Sequence, residues 1–182
     1  VADAMIDSTP MVVICGQVGA AMLGTDAFQE VDVVGVTQPI SKWNYQIRRA
    51  EDIPWAVARA FYIAKSGRPG PVVLDFAKNA QTALIEYQPQ TVDFIRSYNP
   101  VPAAEQSAIE KAAELINQSV KPLMLVGQGV ELAGAREELL ALAEKAQIPF
   151  GQTMLGLSAA PTSHPLNMGM LGMHGNLAPN VM

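Results

Sequence analysis

Pro71-Val72-Val73-Leu74-Asp75-Phe76 is an apolar run interrupted only by Asp75, and it decides the fold. Runs of this kind are typical of strands that are buried on both faces of a parallel sheet. Upstream, the segment Trp43–Ile47 alternates apolar and polar side chains, which predicts a half-buried strand. Asp52 is a candidate N-cap for a helix that lies between the two strands and ends before Gly67. A strand, a helix and a second strand in this order favour a parallel pair joined by a crossover. The apolar residues of this helix repeat at helical spacing, and they are Ile53, Val57, Phe61 and Ala64.

The same pattern recurs on both sides of this unit. A short apolar strand is predicted over 11–15, and a helix over 104–118 precedes a second strand-helix-strand unit over 123–126, 131–146 and 150–154. The helix over 104–118 is expected to bury five residues, which are Ala108, Ile109, Ala112, Ala113 and Ile116. The helix over 131–146 is expected to face inward with Leu132, Leu139, Leu140 and Ala143.

Two stretches lack a sustained apolar period. Residues 88–102 contain three prolines, which indicates an inter-domain linker. Residues 156–182 are rich in Gly, Pro, Asn and Met, so we expect loops with one short helix and no final strand to close a sheet. The sequence therefore predicts an α/β fold with parallel sheets flanked by helices. Two partial domains, 1–87 and 104–182, are joined by a linker over 88–103.

Composition excludes several classes of function. With 182 residues and 49% apolar residues, the chain is expected to bury a globular core. A net charge of −5 gives no basic face for a nucleic-acid partner. No apolar run approaches the ~20 residues that a bilayer span needs, and residues 1–9 do not form a secretory leader. We therefore expect a soluble, intracellular protein, in which the single cysteine, Cys15, is buried as a small apolar residue.

The turn Gly127-Gln128-Gly129 follows one predicted strand and precedes a helix, the place where glycines let a backbone approach a phosphate. The dinucleotide fingerprint is incomplete, because Leu132 stands where its third glycine would be and no acid follows the next strand. A nicotinamide site is thus disfavoured, and a plain tight turn stays open. His164 and His174, the only histidines, lack ligands at metal-binding spacing, so we predict no metal site on them and a structural role for His164.

A second candidate site follows the first strand. Ligands of open α/β sheets collect outside the carboxyl ends of strands, which places Gln17, Phe28 and Gln29 near such a site. A phenylalanine and an amide offer an apolar wall and a neutral hydrogen-bonding group, although ordinary loop packing is the alternative. Lys78 follows the strand over 71–76 and is either a site residue or a solvated surface lysine. Pairing of Asp75 with Glu30 as acid and base is a weaker hypothesis, since the sequence does not bring them together.

The sequence resembles the acetohydroxyacid synthases (acetolactate synthases), thiamine-diphosphate enzymes that condense two 2-ketoacids. Five stretches occur in the order found in that family: Gly16-Gln17-Val18 leading to Gly24-Thr25-Asp26-Ala27-Phe28-Gln29-Glu30, Thr37-Gln38-Pro39-Ile40 with Lys42 and Asn44, Ser66-Gly67-Arg68-Pro69-Gly70-Pro71-Val72, Gly127-Gln128-Gly129, and Leu171-Gly172-Met173-His174-Gly175. The resemblance implies the second half of a pyrimidine-binding domain over 1–87 and the first half of an FAD-binding middle domain over 104–182.

The resemblance also implies roles for individual residues. Gln29 and Phe28 are implied to be catalytic, beside the thiazolium and the second ketoacid across a dimer interface, and Lys78 and Gln17 to line the substrate channel. The implied FAD contacts are Arg68, Gly127, Gln128, Gly129, Thr153, Met154, Leu155, Leu171, Met173 and His174. For His174, a loop residue satisfied by backbone is the alternative. The sequence departs from common family forms at Gly19-Ala20-Ala21 and at Trp43, near the channel, which leaves substrate preference open.

The implied activity is decarboxylation of pyruvate and its condensation with a second 2-ketoacid, in the cytoplasm if the source is bacterial, for branched-chain amino-acid biosynthesis. The implied cofactors are thiamine diphosphate, Mg²⁺ and FAD, and the implied partners are further copies in a homodimer or tetramer and a regulatory subunit. The activating glutamate and the G-D-G motif that anchors Mg²⁺ are missing, and residues 1–6 read as the end of a helix. We therefore expect an internal fragment that is inactive by itself. The alternatives are another thiamine-dependent carboligase or decarboxylase, such as glyoxylate carboligase or the catabolic acetolactate synthase, and a non-catalytic flavin- or nucleotide-binding module.

Overall fold

The computed structural model describes residues 1–181 and divides the chain into two compact units, Val1–Ala103 and a second that begins at Ala104. Unit 1 contains three strands and four helices: α1 (Ala2–Ile6), β1 (Met11–Gln17), α2 (Val33–Thr37), β2 (Trp43–Ile47), α3 (Ile53–Lys65), β3 (Pro71–Ala77) and α4 (Lys78–Thr82). Unit 2 contains three strands and four helices: α5 (Gln106–Gln118), β4 (Met124–Val126), α6 (Gly129–Leu132), α7 (Arg136–Ala146), β5 (Phe150–Gln152), β6 (Asn167–Met170) and α8 (Leu177–Val181).

The sheet of unit 1 has the order β1-β3-β2, and all of its strands are parallel. The predicted crossover is confirmed, since α3 connects β2 to β3. All seven residues of β3 are buried, as its near-continuous apolar sequence indicated. Val72, Leu74 and Phe76 pack with α3 in the main core. Because side chains alternate along a strand, Asp75 projects from the opposite face of the sheet.

Three details of unit 1 differ from the sequence-based expectations. Asp52 makes no side-chain cap bond; its carboxylate pairs with Arg49 at 3.1 Å, and a 3₁₀ turn leads into α3. Phe61 is 54% exposed, because α3 faces the sheet along a line centred on Ala56 and Ala60. Cys15 is half-buried rather than buried, since β1 lies at the edge of the sheet.

Residues 88–103, predicted as a linker, pack on unit 1. Ile95 is 6% exposed and belongs to the main core, with Val92 and Tyr98 packed against it. The hydroxyl of Tyr98 lies 3.1 Å from the Ser66 hydroxyl and accepts a hydrogen bond from Lys42 Nζ at 3.2 Å. Lys42 Nζ also donates to the carbonyls of Ile63 and Ser66 at the end of α3, where a cation is favourable. Residues 88–103 therefore belong to unit 1, and the boundary between the two units lies after Ala103.

The sheet of unit 2 is also parallel, with the order β4-β5-β6. Its core contains Val126, Ala143 and Phe150, and Leu139 and Leu140 pack against it as predicted for α7. The predicted fold class, parallel sheets flanked by helices, is thus confirmed in both units. Among residues 1–181, no helix has both the length and the apolarity that a membrane span requires.

Unit 2 corrects three expectations. The prediction that no strand closes the tail is wrong, because Asn167–Met170 forms β6 with a register shift against β5. The predicted helix over 131–146 is two helices, since Gly134 has a φ of +65° and interrupts it; Leu132 is consequently 48% exposed. The apolar face predicted for the helix over 104–118, which is α5 in the structure, is not buried within unit 2. Ile109 is 51% exposed on α5, and only Ile116 is half-buried.

Candidate functional site

A pocket of about 430 Å³ lies at the carboxyl end of β1 in unit 1. The residues that line it are Gly16, Gln17, Val18, Gln29, Lys78 and Gln81. The structure thus brings together three of the four residues that the sequence placed here, from the ends of β1 and β3 and from the loop over 24–30. Phe28 precedes Gln29 and is 87% exposed beside the pocket.

The carboxylate of Glu30 shapes the loop over 24–30. It accepts hydrogen bonds from the backbone N–H groups of Gly24, Thr25 and Ala27, the last two at 3.2 Å. These bonds, that of Gly24 first, lower the pKa of Glu30. The backbone is left-handed at Gly24 and at Gln29, whose φ values are +79° and +65°. Glu30 is therefore engaged as a loop clamp, which argues against its use as a catalytic acid paired with Asp75.

The Glu30 clamp predicts a pH-dependent loop. A carboxylate whose folded pKa lies below its unfolded value stabilises the folded loop above the unfolded pKa, and this contribution is lost as the pH falls through the folded pKa. We expect amide hydrogen exchange of residues 24–30, corrected for its intrinsic pH dependence, to accelerate on acidification through that range. Glu30→Gln should show fast exchange at every pH, whereas Asp26→Asn, altered in the same loop, should retain the wild-type profile. A wild-type loop whose corrected exchange is independent of pH would contradict the clamp.

Gln17 and Lys78 differ in how free their side chains are. Gln17 is 8% exposed; its Nε2 donates to the Val31 carbonyl at 2.7 Å and its Oε1 accepts from the Val18 N–H at 2.9 Å. Lys78 is exposed at the start of α4, so its ammonium group faces solvent at the pocket. Substrate contact stays a prediction for both residues, and the geometry favours Lys78.

Asp75 forms a buried polar network that sequence reasoning did not find. Its Oδ2 accepts from Gln46 Nε2 at 2.9 Å and from Gln17 Nε2 at 3.4 Å, and Arg48 Nε donates to Gln46 Oε1 at 2.9 Å. Cys15 lies directly opposite Asp75 in the sheet register, and desolvation followed by the Asp75 charge raises the pKa of the thiol. Cys15 is consequently held in its unreactive protonated form. The signal in the sequence was a single acid within an apolar strand, because such an acid must find buried partners.

A second candidate site lies at the carboxyl edge of the sheet in unit 2. The segments predicted to touch FAD follow β4, β5 and β6, which are adjacent and parallel. The Thr153 N–H donates to the Val126 carbonyl and the Leu171 N–H to the Gln152 carbonyl, both at 2.9 Å. The structure therefore brings nine of the predicted contacts to one edge, and these are Gly127, Gln128, Gly129, Thr153, Met154, Leu155, Leu171, Met173 and His174.

This edge combines free backbone with exposed apolar side chains. Met154 is 66% exposed and Met173 is 95% exposed. A Cβ at Gly129 would meet no atom within 4 Å, and one at Gly127 would meet only the Thr153 hydroxyl at 3.9 Å. Neither of these two glycines has a positive φ, so no unusual backbone conformation requires glycine there. The missing side chains instead leave open space for a ligand. The surface suits a flat, partly apolar ligand that approaches the backbone closely.

Asparagine and glutamine side chains hold the loops of this edge. Gln152 is 2% exposed and donates to the Gly156 carbonyl at 2.9 Å. Asn180 accepts from the Gly172 N–H at 2.8 Å and donates to the Gly172 carbonyl at 2.9 Å. Asn176 Oδ1 accepts from the Met170 N–H at 3.0 Å. The segment over 171–175 is therefore fixed by side chains that follow it in the chain.

The remaining predicted residues have the following surroundings. Arg68, in unit 1, donates from Nε to the Ser8 hydroxyl and from its guanidinium to the Ile6 carbonyl, both at 2.8 Å. His164 accepts from the Leu166 N–H and lies 3.2 Å from Glu144 Oε1, contacts that suit the structural role predicted for it. His174 is exposed. Within residues 1–181, no group of three His, Cys, Asp or Glu side chains could hold a metal.

Comparison with known proteins gives consistent similarities across the chain. Residues 109–182 match the family model of the thiamine pyrophosphate enzyme central domain. The chain is 47% identical over 179 residues to the acetolactate synthase large subunit of Corynebacterium glutamicum, covering 98% of the chain and 28% of that protein. It is 46% identical over 180 residues to the acetolactate synthase isozyme 1 large subunit of Escherichia coli, covering 99% of the chain and 31% of that protein.

A solved structure supports the fold. A Mycobacterium smegmatis protein assigned to the thiamin diphosphate-dependent enzymes superposes with a TM-score of 0.73 at 28% identity, over 94% of this chain and 33% of that one. The chain thus spans about a third or less of the length of the proteins it matches. Residues 109–182 thus match the central domain of the thiamine pyrophosphate enzymes, and the chain as a whole is similar to about a third of the length of the acetolactate synthase large subunits.

Proposed function

We propose that the protein carrying this sequence is an acetolactate synthase, which decarboxylates pyruvate and condenses the two-carbon product with a second 2-ketoacid for branched-chain amino-acid biosynthesis. The observation that carries the proposal is 40–47% identity, over 97–100% of the chain, to proteins named acetolactate synthase or its large subunit. Thiamine diphosphate, when bound, supplies the electron sink for decarboxylation.

The pocket of unit 1 offers groups suited to ketoacids. The exposed Lys78 ammonium attracts anionic substrates towards the end of β3. The Gln29 amide donates and accepts hydrogen bonds without carrying charge, so it suits a group that must hold a carboxylate or carbonyl. The Phe28 ring, which is 87% exposed, supplies an apolar surface beside these polar groups. We assign Gln29 and Phe28 to contact with the reacting groups, and Lys78 and Gln17 to the substrate channel.

The edge of unit 2 fits FAD. Open backbone at Gly127 and Gly129 permits close approach of a diphosphate or ribityl chain, while Met154, Leu155 and Met173 present exposed apolar surface to a flat ring. We propose that these residues, with Gln128, Thr153, Leu171 and His174, contribute to an FAD site, and that Arg68 also contacts the cofactor. We assign no Mg²⁺ ligand, since residues 1–181 hold no cluster of metal-binding side chains.

We further propose that the protein forms a homodimer or tetramer and binds a regulatory subunit in the cytoplasm. Phe28 and Val31 are 87% and 55% exposed within four residues of each other, and an exposed apolar patch of this kind favours contact with another protomer. The name "large subunit" of the similar proteins supports a smaller partner.

The direct test is product analysis. The intact protein, supplied with pyruvate, thiamine diphosphate, Mg²⁺ and FAD, is expected to form acetolactate, and the 182-residue chain alone is expected to form none. Product from the intact protein that lacks acetolactate but contains acetaldehyde would assign it to the decarboxylases. Bound FAD without any turnover would assign it to non-catalytic flavin modules.

The turn after β4 gives a prediction about the flavin. Gly129→Val places a branched side chain into open space at the proposed cofactor surface, so we expect FAD binding to weaken by about 1–3 kcal/mol, roughly 5- to 150-fold in Kd. Binding of thiamine diphosphate should not change. Titration of flavin fluorescence measures the effect. The matched control is Gly134→Ala, which strains a glycine with a φ of +65° away from this edge and should keep the wild-type Kd. An unchanged FAD Kd in folded Gly129→Val would show that the turn only connects β4 to α6 and does not contact FAD.

A further inference from the structure

The face of the unit 1 sheet that bears Asp75 carries several polar side chains around it, in contrast to the core face against α3. Cys15 and Gln46 lie directly beside Asp75 in the sheet register. Gln17 and Asn44 are two residues away along the strands of Cys15 and Gln46, respectively, so they share the same face. Asn44 Nδ2 donates to the Val34 carbonyl at 2.7 Å, and Gln17 Nε2 donates to the Val31 carbonyl at 2.7 Å. Two amides of the sheet therefore fasten the segment that follows the loop over 24–30.

Asp75 lies on the central strand of this sheet, between Cys15 on β1 and Gln46 on β2, and is 1% exposed. Its Oδ2 accepts both glutamine amides, whereas its Oδ1 has no hydrogen-bond partner among residues 1–181. An acid buried with half of its carboxylate unsatisfied is a cost to folding, which an apolar residue of similar size would avoid. The stability of β3 therefore does not explain why position 75 is an acid. The effect of the carboxylate on the neighbouring side chains explains it.

The effect is to orient the Gln17 amide. A glutamine amide has two ends, and its oxygen and nitrogen can exchange places by rotation. The Asp75 carboxylate and the Val31 carbonyl both accept from Nε2, at 3.4 Å and 2.7 Å, and the Val18 N–H donates to Oε1 at 2.9 Å, so Asp75 adds to the selection of this single orientation. Val31 directly follows Glu30, whose carboxylate holds the other side of the loop. Phe28 and Gln29 lie between these two attachments.

We propose that Asp75 is a positioning residue, which acts through Gln17 and Val31 to place Phe28 and Gln29 for the condensation step. This inference rests on the proposed function. It assigns no substrate contact to Asp75, whose side chain is buried beneath the loop. The decarboxylation step, which does not need the second ketoacid, should depend on Asp75 less than condensation does.

The test is the ratio of acetaldehyde to acetolactate formed from pyruvate by the intact protein. Asp75→Asn keeps the shape of the side chain but lets its amide end face the glutamines, so we expect the ratio to rise about tenfold through loss of loop placement. Hydrogen exchange of residues 24–32 should accelerate by about tenfold in the same variant without added substrate. A general loss of folded protein would lower both products together and leave their ratio unchanged.

The matched control is Lys42→Met, which removes a half-buried structural cation from the end of α3 in the same unit, away from the loop. It should lower Tm and leave the product ratio and the exchange of residues 24–32 unchanged. If Asp75→Asn does not fold, Gln46→Leu removes one of the two donors to Asp75 and should raise the ratio in the same direction by less. A wild-type ratio in folded Asp75→Asn or Gln46→Leu would overturn the inference. Absence of acetolactate from the wild type would instead overturn the proposed function.

Discussion

Replacing Gln29 by glycine is expected to lower acetolactate formation about 100-fold, because it removes a polar group that we place against the reacting ketoacid. The side chain is exposed in the structure and makes no contribution to the core. Its left-handed φ of +65° suits glycine, so the backbone of the variant is relieved rather than strained. Tm should accordingly remain within a few degrees of the wild type, and the loss should appear in kcat for condensation.

Gln29→Ala is the matched variant that separates chemistry from backbone strain. Alanine also lacks the amide, and like the wild-type glutamine it carries the left-handed penalty of about 1–2 kcal/mol that glycine does not. If the amide is responsible, both variants lose condensation to the same extent and only the glycine variant gains stability. Near-normal condensation by Gln29→Ala, with a loss in Gln29→Gly alone, would assign the position to loop conformation.

Replacing Gly156 by alanine is expected to destabilise unit 2 by about 2 kcal/mol or more, as overpacking at fixed backbone does. A Cβ at this position would overlap the Val126 carbonyl oxygen and stand 3.0 Å from Gly127 Cα. Both neighbours are backbone at the end of β4, so neither can rotate away. The bond from the Thr153 N–H to the Val126 carbonyl should also weaken.

Thermal unfolding and hydrogen exchange measure this effect. We expect Tm to fall by roughly 8–15 °C for a unit of this size, and amides over 124–130 and 150–156 to lose protection. Gly129→Ala is the matched control at the same strand end, where a Cβ meets nothing within 4 Å, and its Tm should not fall. Equal Tm values for the two variants would show that the approach of Gly156 to β4 is not tight.

The sequence was sufficient where a single local period dominates. The alternation in β2, the helical spacing in α3 and the apolar run of β3 each predicted an element, and the crossover rule then predicted parallel pairing. It was insufficient for β6, because Asn167-Met168-Gly169-Met170 lacks β-branched residues and Gly169 adopts a φ of +93°. That strand forms because β5 supplies a partner, which no local pattern reveals.

The candidate sites likewise contain residues that the sequence predicted and contacts that it did not. The rule that ligands collect at carboxyl ends of strands placed Gln17 and Gln29 near a site, and both line one pocket together with Lys78, which the family resemblance implied. The network around Asp75 was not predictable, since its bond to Gln17 spans 58 residues of sequence. Burial of α5 was overestimated for the opposite reason, because an apolar stripe indicates a face that can be covered but does not specify what covers it.

The attachment of residues 88–103 to unit 1 affects the order of events during synthesis. Ile95 and Tyr98 complete the core and the contacts of Lys42, yet they are translated after every strand and helix of that unit. At about 5–20 residues per second, roughly 1–3 s separate the emergence of Thr82 from that of Tyr98. During this interval the nascent sheet and α3 lack their last covering segment, so this is the stage at which a chaperone protects the growing chain most effectively.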